Sequence, residues 1–358
     1  MTLINTEVKN EVKKPNMKIL WAIDAFDDAH EDASSGVSRG ASSGDSIHSV
    51  ERAHSDLPGL QAEAALILSQ VSAHCITEIE PVYVLSPEQM GITIEVGLPW
   101  GQHYAPSAKK TLEQKLKQVR LAGLKEPQIL LHHRSSLRGT VEVLSRYART
   151  NHFDLILVGS HSRRGLERAL LGSFAEELLL QSEVPVMVIG ARVLAKPLSP
   201  PDHILFPTDF SETSYSTYRE ILKLAQSLKA KITLLHVIPR PAEAMLQSGV
   251  YLLSGNWVPV PIYIEREQAQ HTKTVEKWEK EALKLGIQIK LIIDSDTPSV
   301  VQSIRAHAIS QRVSVIAMAA QSGRMKSMIL GSVSRQIVRE ASCPVWISRD
   351  FLKEEYPA

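Results

Sequence analysis

Apolar residues in this chain fall in short continuous runs that alternate with stretches of helical period. Met17-Lys-Ile-Leu-Trp-Ala-Ile23 predicts a buried strand that ends at Asp24. Helical spacing resumes from Gln61 to Val71, and a strand follows from Ile76 to Leu85, with Val82 and Val84 near its end. Leu98 to Pro106 reads as loop. Leu112, Leu116 and Val119 mark one face of a helix over about 107–122. Gln128 to His132 is a third strand, Val141, Val143, Leu144 and Tyr147 mark a third helix, and Leu155-Ile-Leu-Val158 is a fourth strand. Phe174, Ala175, Leu178 and Leu179 give the next helix its inner face, and Pro185 opens a fifth strand that runs to Ile189.

The same alternation then returns. His203-Ile-Leu-Phe-Pro-Thr208 leads to Asp209, and Ser211 is placed to cap the next helix, Ser214 to Leu228. Lys231 to Val237 is a strand, and a helix over about 264–285 is closed by Gly286. Ile287 to Ile293 is a strand. Thr297-Pro298 reads as an N-cap followed by Pro at the first helical position, ahead of Val300, Val301 and Ile304. Val313 to Ala317 and Pro344-Val-Trp-Ile347 are the last two strands. Gly172 to Pro185 is 13 positions, and so is Gly331 to Pro344. The chain is a tandem repeat.

Strand–helix alternation with continuously apolar strands predicts an α/β fold. The expected form is two repeated doubly wound domains, each a five-stranded parallel sheet of order 3-2-1-4-5 with helices on both faces. The domains span 17–191 and 202–350, with tails at 1–16 and 351–358. The linker is 192–201, and Pro197, Pro200 and Pro201 stiffen the stretch between the domains. Each fifth strand would lie at a sheet edge, and bare apolar edges recruit other chains. The two are therefore expected to pair antiparallel about a pseudo-two-fold axis, with Trp346 buried at the seam. That makes the chain an intramolecular pseudo-dimer, with further homodimerisation left open.

Composition changes this picture in one place. Ser34 to Ser55 holds eight serines and three glycines in 22 residues, within an insertion of about 32–57. Such a stretch buries too little apolar surface to offset its ordering entropy. Net charge is +1, so neither nucleic acid nor anionic membrane is an expected partner. The two cysteines, Cys75 and Cys343, fall in different repeats, which argues against a disulfide framework and for a reducing compartment. No apolar run approaches the roughly 18 residues that span a bilayer. The N-terminus lacks the layout of a signal peptide. A cytoplasmic protein is expected.

Chemistry concentrates at the ends of strands one and four. Asp24 and Asp209 end the first strand of each repeat. Glycine-bearing loops follow the fourth: Gly159 to Gly172-Ser173, and Gly323 to Gly331-Ser332-Val333-Ser334. In the order 3-2-1-4-5 these strands are neighbours, and ligands of such sheets sit in the crevice beyond their C-terminal ends. Glycines let backbone N–H groups approach an anion, and a helix start adds a positive dipole end.

On these residues both halves resemble the universal stress protein family in its tandem two-domain form, from Met17 to Arg349 except the Ser-rich insertion. Nucleotide-binding members carry Pro-Val-Asp on strand one and G-x2-G-x9-G-[ST] before the last helix. The resemblance implies an ATP-binding regulator or sensor in the stress response, with Mg accompanying the nucleotide and with protein partners. In the first repeat it implies Asp24 and Val84 near the nucleoside, and Gly159, Gly172 and Ser173 at the phosphates. Ser162 stands where the middle glycine belongs, Ala22-Ile-Asp24 replaces Pro-Val-Asp, and Phe174-Ala175 replaces a small, hydroxyl-bearing pair. In the second repeat Asp209, Val237, Gly331, Ser332 and Ser334 match. Ala319 stands for the first glycine, and Ala319 to Gly331 is 12 positions where Gly159 to Gly172 is 13. Alanine tolerates positive φ poorly, so this loop departs from the first.

Other readings compete. Asp24 and Asp209 can simply brace the loop after strand one. The chain can be a non-nucleotide interaction protein with eroded phosphate loops, acting through protein partners or another small ligand. A slow ATPase is a third reading. No G-x4-G-K-[ST] is present, no G-x-G-x-x-G follows the first strand, and no Ser-Gly-Gly loop follows it. No His/Cys/Asp cluster has metal spacing, and His132 and His133 alternate faces. His161 lies between Ser160 and Ser162 but nothing marks a third orienting group, so no catalytic residue is assigned.

Asp24 to Gly172 is 148 positions and Asp209 to Gly331 is 122, a difference of 26 that matches the Ser-rich insertion. Deleting Ser34 to Ser55 should leave the melting temperature nearly unchanged, because loop length costs little free energy. A calorimetric drop of many degrees would show that the stretch packs.

Overall fold

The computed structural model describes residues 16–24, 59–87, 100–160, 171–190, 192–193, 201–238, 250–253, 256–297, 299–320 and 330–349. The first repeat runs β1 (Asn16–Ala22), α1 (Gly59–His74), β2 (Ile76–Leu85), α2 (Trp100–Leu116), β3 (Gln128–Leu131), α3 (Leu137–Thr150), β4 (Leu155–Gly159), α4 (Ser173–Gln181) and β5 (Val186–Ile189). The second runs β6 (His203–Pro207), α5 (Glu212–Leu228), β7 (Lys231–Val237), β8 (Val250–Leu253), β9 (Asn256–Pro259), α6 (Val260–Lys284), β10 (Ile289–Asp294), α7 (Val300–Ser310), β11 (Val315–Ala319), α8 (Ser332–Glu340) and β12 (Val345–Ser348).

One ten-stranded sheet carries the molecule, in the order β10-β7-β6-β11-β12-β5-β4-β1-β2-β3. Read inward from either edge, each half has the order expected from the sequence, 3-2-1-4-5. Within each half the neighbours are parallel. At the centre β5 and β12 pair antiparallel, with Val345 opposite Val188, Trp346 opposite Met187 and Ile347 opposite Val186. The pairing follows from composition. Val186 to Ile189 is apolar at every position, so the strand needs cover on both faces and a neighbour on its open edge.

Helices cover both faces. On one, α1, α2, α5 and α6 bury Leu68, Leu112, Ile221 and Trp278 in a single core that includes Met187 and Trp346. On the other, α3, α4, α7 and α8 bury Leu144, Leu178, Ile304 and Ile337 with Val188 and Val345. Both cores run across the seam between the repeats. Two further contacts tie the halves. The backbone carbonyl of Val338 in α8 lies against Gly190, where a Cβ would meet it at 3.1 Å. Arg335 Nε in α8 lies 3.2 Å from Glu176 Oε1 in α4. No described helix is long and apolar enough to cross a membrane.

Four local expectations are corrected. The stretch read as loop up to Pro106 is already helix from Trp100, with Pro106 inside it, and α2 stops at Leu116 rather than near Ala122. Ala108 and Leu112 are buried, so packing of the apolar face outweighs the break that Pro favours. A hairpin, β8–β9, precedes α6 in a region read without strands. The helix after β10 has Ser299, not Thr297, at its N-cap position, without a side-chain capping bond, and the Thr297 hydroxyl is taken by Asp294. Ser211 caps α5 as expected, accepting from the Ser214 N–H at 3.2 Å.

Val188 is fully buried at the seam. Val188→Asp should destabilise the chain by at least about 3 kcal/mol, since an unpaired buried carboxylate has no compensating partner. Ile309→Asp, at a site 52% exposed, should change stability by no more than about 0.5 kcal/mol. Urea denaturation of the two variants checks the contrast.

Candidate functional site

The register of the sheet assembles the first crevice. Ala22 of β1 lies opposite Val82 of β2 and Val158 of β4. Continuing two residues along β1 and β2 and one along β4 brings Asp24, Val84 and Gly159 to one rim. Val84 is buried and Asp24 half-buried. Beyond Gly159 the Ser160 N–H donates to the Ile189 carbonyl, which holds the loop's start against β5. The chain returns at Gly172, a buried residue whose N–H donates to Ser160 Oγ at 3.4 Å, the long end of hydrogen-bond geometry. Helix α4 starts there with no side chain capping its first turn, and Ser173 is exposed. Ser162 lies outside the described residues, as do His161, Arg163 and Arg164.

The second crevice has the same layout with different bonding. Val237 ends β7 and Gly331 begins α8, again without a side-chain cap. Here the Gly331 N–H donates to the Ala320 carbonyl at 3.0 Å, and Ser334 Oγ donates to the Ala319 carbonyl at 3.1 Å. Ser332 is exposed. Asp209 Oδ1 accepts from the Ser211 N–H at 3.0 Å and from Ser214 Oγ at 2.5 Å. Burial alone would raise the Asp209 pKa, but the hydrogen bonds from Ser214 and Ser211 outweigh it and hold the carboxyl below its usual value. Asp209 therefore braces the start of α5.

One expectation about backbone is corrected. Gly172 and Gly331 have φ of −61° and −56°, an extended region open to any residue. Neither Gly159 nor Ala319 has positive φ, and both close a strand in extended geometry. Ala319 is thus no obstacle to the backbone path. The residue that does take a left-handed conformation is Phe210, at φ 56°, just past Asp209. For a bulky side chain this costs about 1–2 kcal/mol. It is offset by the Phe210 N–H donating to Thr208 Oγ1 at 3.0 Å and by ring contacts to His271 and Trp278, with centroids 4.8 and 5.3 Å apart.

A polar cluster beside Val237 was not singled out by the sequence. Asp294, opposite Val237 in register, is 8% exposed. Its carboxylate accepts from the Asp296 N–H at 2.9 Å, the Thr297 N–H at 3.1 Å, Thr297 Oγ1 at 2.7 Å and the Ser303 hydroxyl, and it lies 3.2 Å from His307 Nε2. Desolvation opposes the charge, yet the Ser303 and Thr297 hydrogen bonds outweigh it and hold the Asp294 carboxyl well below the usual range. The signal was a lone acid ending the apolar run Leu291-Ile-Ile-Asp294. Ser160 and Ala320, which close the two loop necks, carried no signal, because their roles depend on where the returning glycines land. Among the described residues no group of three or more His, Cys, Asp or Glu can hold a metal ion.

A doubly wound sheet with crevices at paired strand ends defines the class, and comparison supplies the family. The universal stress protein family model matches residues 62–190 and 201–349. The chain belongs to that family and carries two copies of its domain. The first match begins after β1, which the Ser-rich stretch separates from α1 in sequence. Among solved structures, the chain is similar to a universal stress protein from Archaeoglobus fulgidus, at 19% identity and TM-score 0.51, over 80% of this chain and 91% of that one. It is also similar to a functionally unknown protein from Pseudomonas aeruginosa PAO1, at 13% identity and TM-score 0.52, over 93% and 92%. At these identities the likeness concerns the fold. No protein of curated function matches the chain.

Asp294 yields a pH prediction. Its folded-state pKa is depressed, so its contribution is present above the unfolded carboxyl value and is lost as pH falls toward the folded one. Asp294→Asn should be less stable than the native chain near neutrality, and the gap should close progressively below roughly pH 4. Thermal melts of both proteins across that range measure it. A gap that stays constant would show that the charge is not what stabilises.

Proposed function

We propose that this protein is an adenine-nucleotide-binding regulator of the stress response, taking ATP with its Mg in the first crevice. The observation that carries the reading is the start of α4. It lies beyond β4, it has no side-chain cap, and among the described residues its leading N–H meets a serine hydroxyl through a long bond. Helix starts of this kind accept anions through free N–H groups and the dipole. Membership of a family with nucleotide-binding members supports the same assignment.

In this reading Gly172, Ser173 and Gly159 face the phosphates, Ser162 completes the loop, and Val84 packs against the base. Asp24, at the rim beside them, meets the ribose. The bound nucleotide acts as a signal that shifts partner choice. The second crevice, where the Gly331 N–H and the Ser334 hydroxyl are bonded to backbone carbonyls, favours the competing view of an interaction protein without nucleotide, and one experiment separates the two.

Purified protein, denatured and chromatographed, should release ATP or ADP, and the stripped chain should rebind ATP by calorimetry. Gly172→Val should lower affinity at least about tenfold by placing bulk where phosphate approaches, a loss of about 1.4 kcal/mol. Its backbone conformation suits valine, so the variant should fold. Binding unchanged by Gly172→Val but lost with Gly331→Val would overturn the site assignment. A chain that neither releases nor binds nucleotide would leave the interaction-protein reading standing.

A further inference from the structure

We infer that the outer edge of β3 docks an extended, acidic segment of another protein, which adds to the sheet as a further strand. The inference goes beyond the nucleotide reading and does not rest on it.

Charge is unevenly distributed along this nearly neutral chain. From Trp100 to Arg138, the stretch that holds α2, β3 and the start of α3, there are eight Lys and Arg against two Glu, a net charge of +6. The whole chain carries +1, so everything else sums to −5. The equivalent stretch of the second repeat, Val260 to Val301, has six Lys and Arg against seven Asp and Glu, a net charge of −1. The opposite end of the sheet, at β10, therefore lacks this charge. Lys109 pairs with Glu113 and Glu126, and Lys125 with Glu78. Lys110, Lys117, Arg120, Arg134 and Arg138 are exposed and join no ion pair among the described residues.

These five cations flank a strand with an open side. β3 ends the sheet order, so β2 is its one strand neighbour among the described residues. Ile129 and Leu131 join the core under α1 and α2, and Leu130 joins the core under α3, so both faces are covered and the edge is not. The His132 N–H donates inward to the Leu85 carbonyl at 3.0 Å, and alternation turns the N–H and C=O of Ile129 and Leu131 outward. The approach to β3 is fixed too. The Ile79 N–H donates to the Gly123 carbonyl at 2.9 Å, and the Lys125 N–H donates to the Ile79 carbonyl at 2.8 Å. Gly123 has φ of +79°, and a Cβ there would lie 1.8 Å from the Thr77 carbonyl oxygen, so glycine is required. Lys117 and Arg120 precede this anchored approach, and Arg134 and Arg138 follow the strand.

An unpaired edge is a template for another strand, and charge on it decides which strand is admitted. Here the charge has one sign, so basic segments are repelled and acidic ones drawn in. In strand addition main-chain bonds supply affinity and side chains supply selection. Nucleic acid or an anionic bilayer would match the cations but set phosphates against the outward carbonyls.

Fluorescence anisotropy on the full chain tests this with a labelled eight-residue peptide of alternating Glu and Val, capped at both ends. The peptide should bind, and its affinity should fall as salt rises. Lys117→Glu with Arg120→Glu, and Arg134→Glu with Arg138→Glu, change exposed sites and should leave stability nearly unchanged. Each pair should lower affinity at least about tenfold. Lys273→Glu with Lys277→Glu, in α6, should not. The same peptide N-methylated at every residue keeps its charges but loses its N–H donors, and should bind at least about tenfold more weakly. Equal affinity for the N-methylated peptide would overturn strand addition. So would tighter binding of single-stranded DNA or phosphatidylglycerol vesicles at the same salt. A full chain that binds no peptide at low salt sinks the inference as well. That holds even where a variant lacking residues 27–56, seven acids against two arginines, does bind, because the chain's own acids would then fill the edge.

Discussion

The antiparallel pairing of β5 with β12 is the contact on which the rest of the molecule depends. Without it there would be two five-stranded sheets, each ending in a strand apolar on both faces. Val186, Met187, Val188, Val345, Trp346 and Ile347 are each no more than 3% exposed. Fully burying side chains of this size is worth roughly 1.5–3 kcal/mol apiece, and that dominates the seam. The Glu176–Arg335 pair is partly exposed and adds less than about 1 kcal/mol. Its role is positional, because it sets α4 against α8 and so fixes the distance between the two helix starts that frame the crevices.

Much of this was legible along the chain. Runs such as Leu155 to Val158 can only be strands covered on both faces, and the 13-position spacing from glycine to proline exposed the repeat. Strand order then placed Asp24 beside Gly159 before any coordinates. What the sequence did not yield was decided by contacts distant in the chain. Trp100 to Pro106 lacks helix signals and is helical because α2 as a whole packs on the sheet. Thr297 has the chemistry of a cap, but Asp294 claims its hydroxyl. The backbone at Gly159 and Ala319 was misjudged because a glycine after a strand suggests positive φ, whereas here the residue still belongs to the strand.

The two crevices share a layout and differ in how their returning glycines are bonded. Both helix starts are uncapped and both follow a fourth strand, so neither fold nor dipole distinguishes them. The difference lies in whether the returning glycine meets a side chain or the backbone. On the strand-one side, the left-handed turn at Phe210 and the hydroxyls of Ser211 and Ser214 convert Asp209 from a rim acid into a brace. The Asp294 cluster does similar work one strand further out, tying the loop after β10 to α7. The second repeat has invested its polar groups in rigidity.

Met187 and Trp346 face each other across the seam and occupy equivalent positions, two residues beyond Pro185 and Pro344. A symmetric pairing of two first repeats would set methionine against methionine, and of two second repeats indole against indole. At Glu176 and Arg335 the same exchange would set carboxylate against carboxylate and guanidinium against guanidinium. Covalent fusion has thus let the halves drift into lock and key. Neither repeat can replace the other at the seam without losing these two contacts.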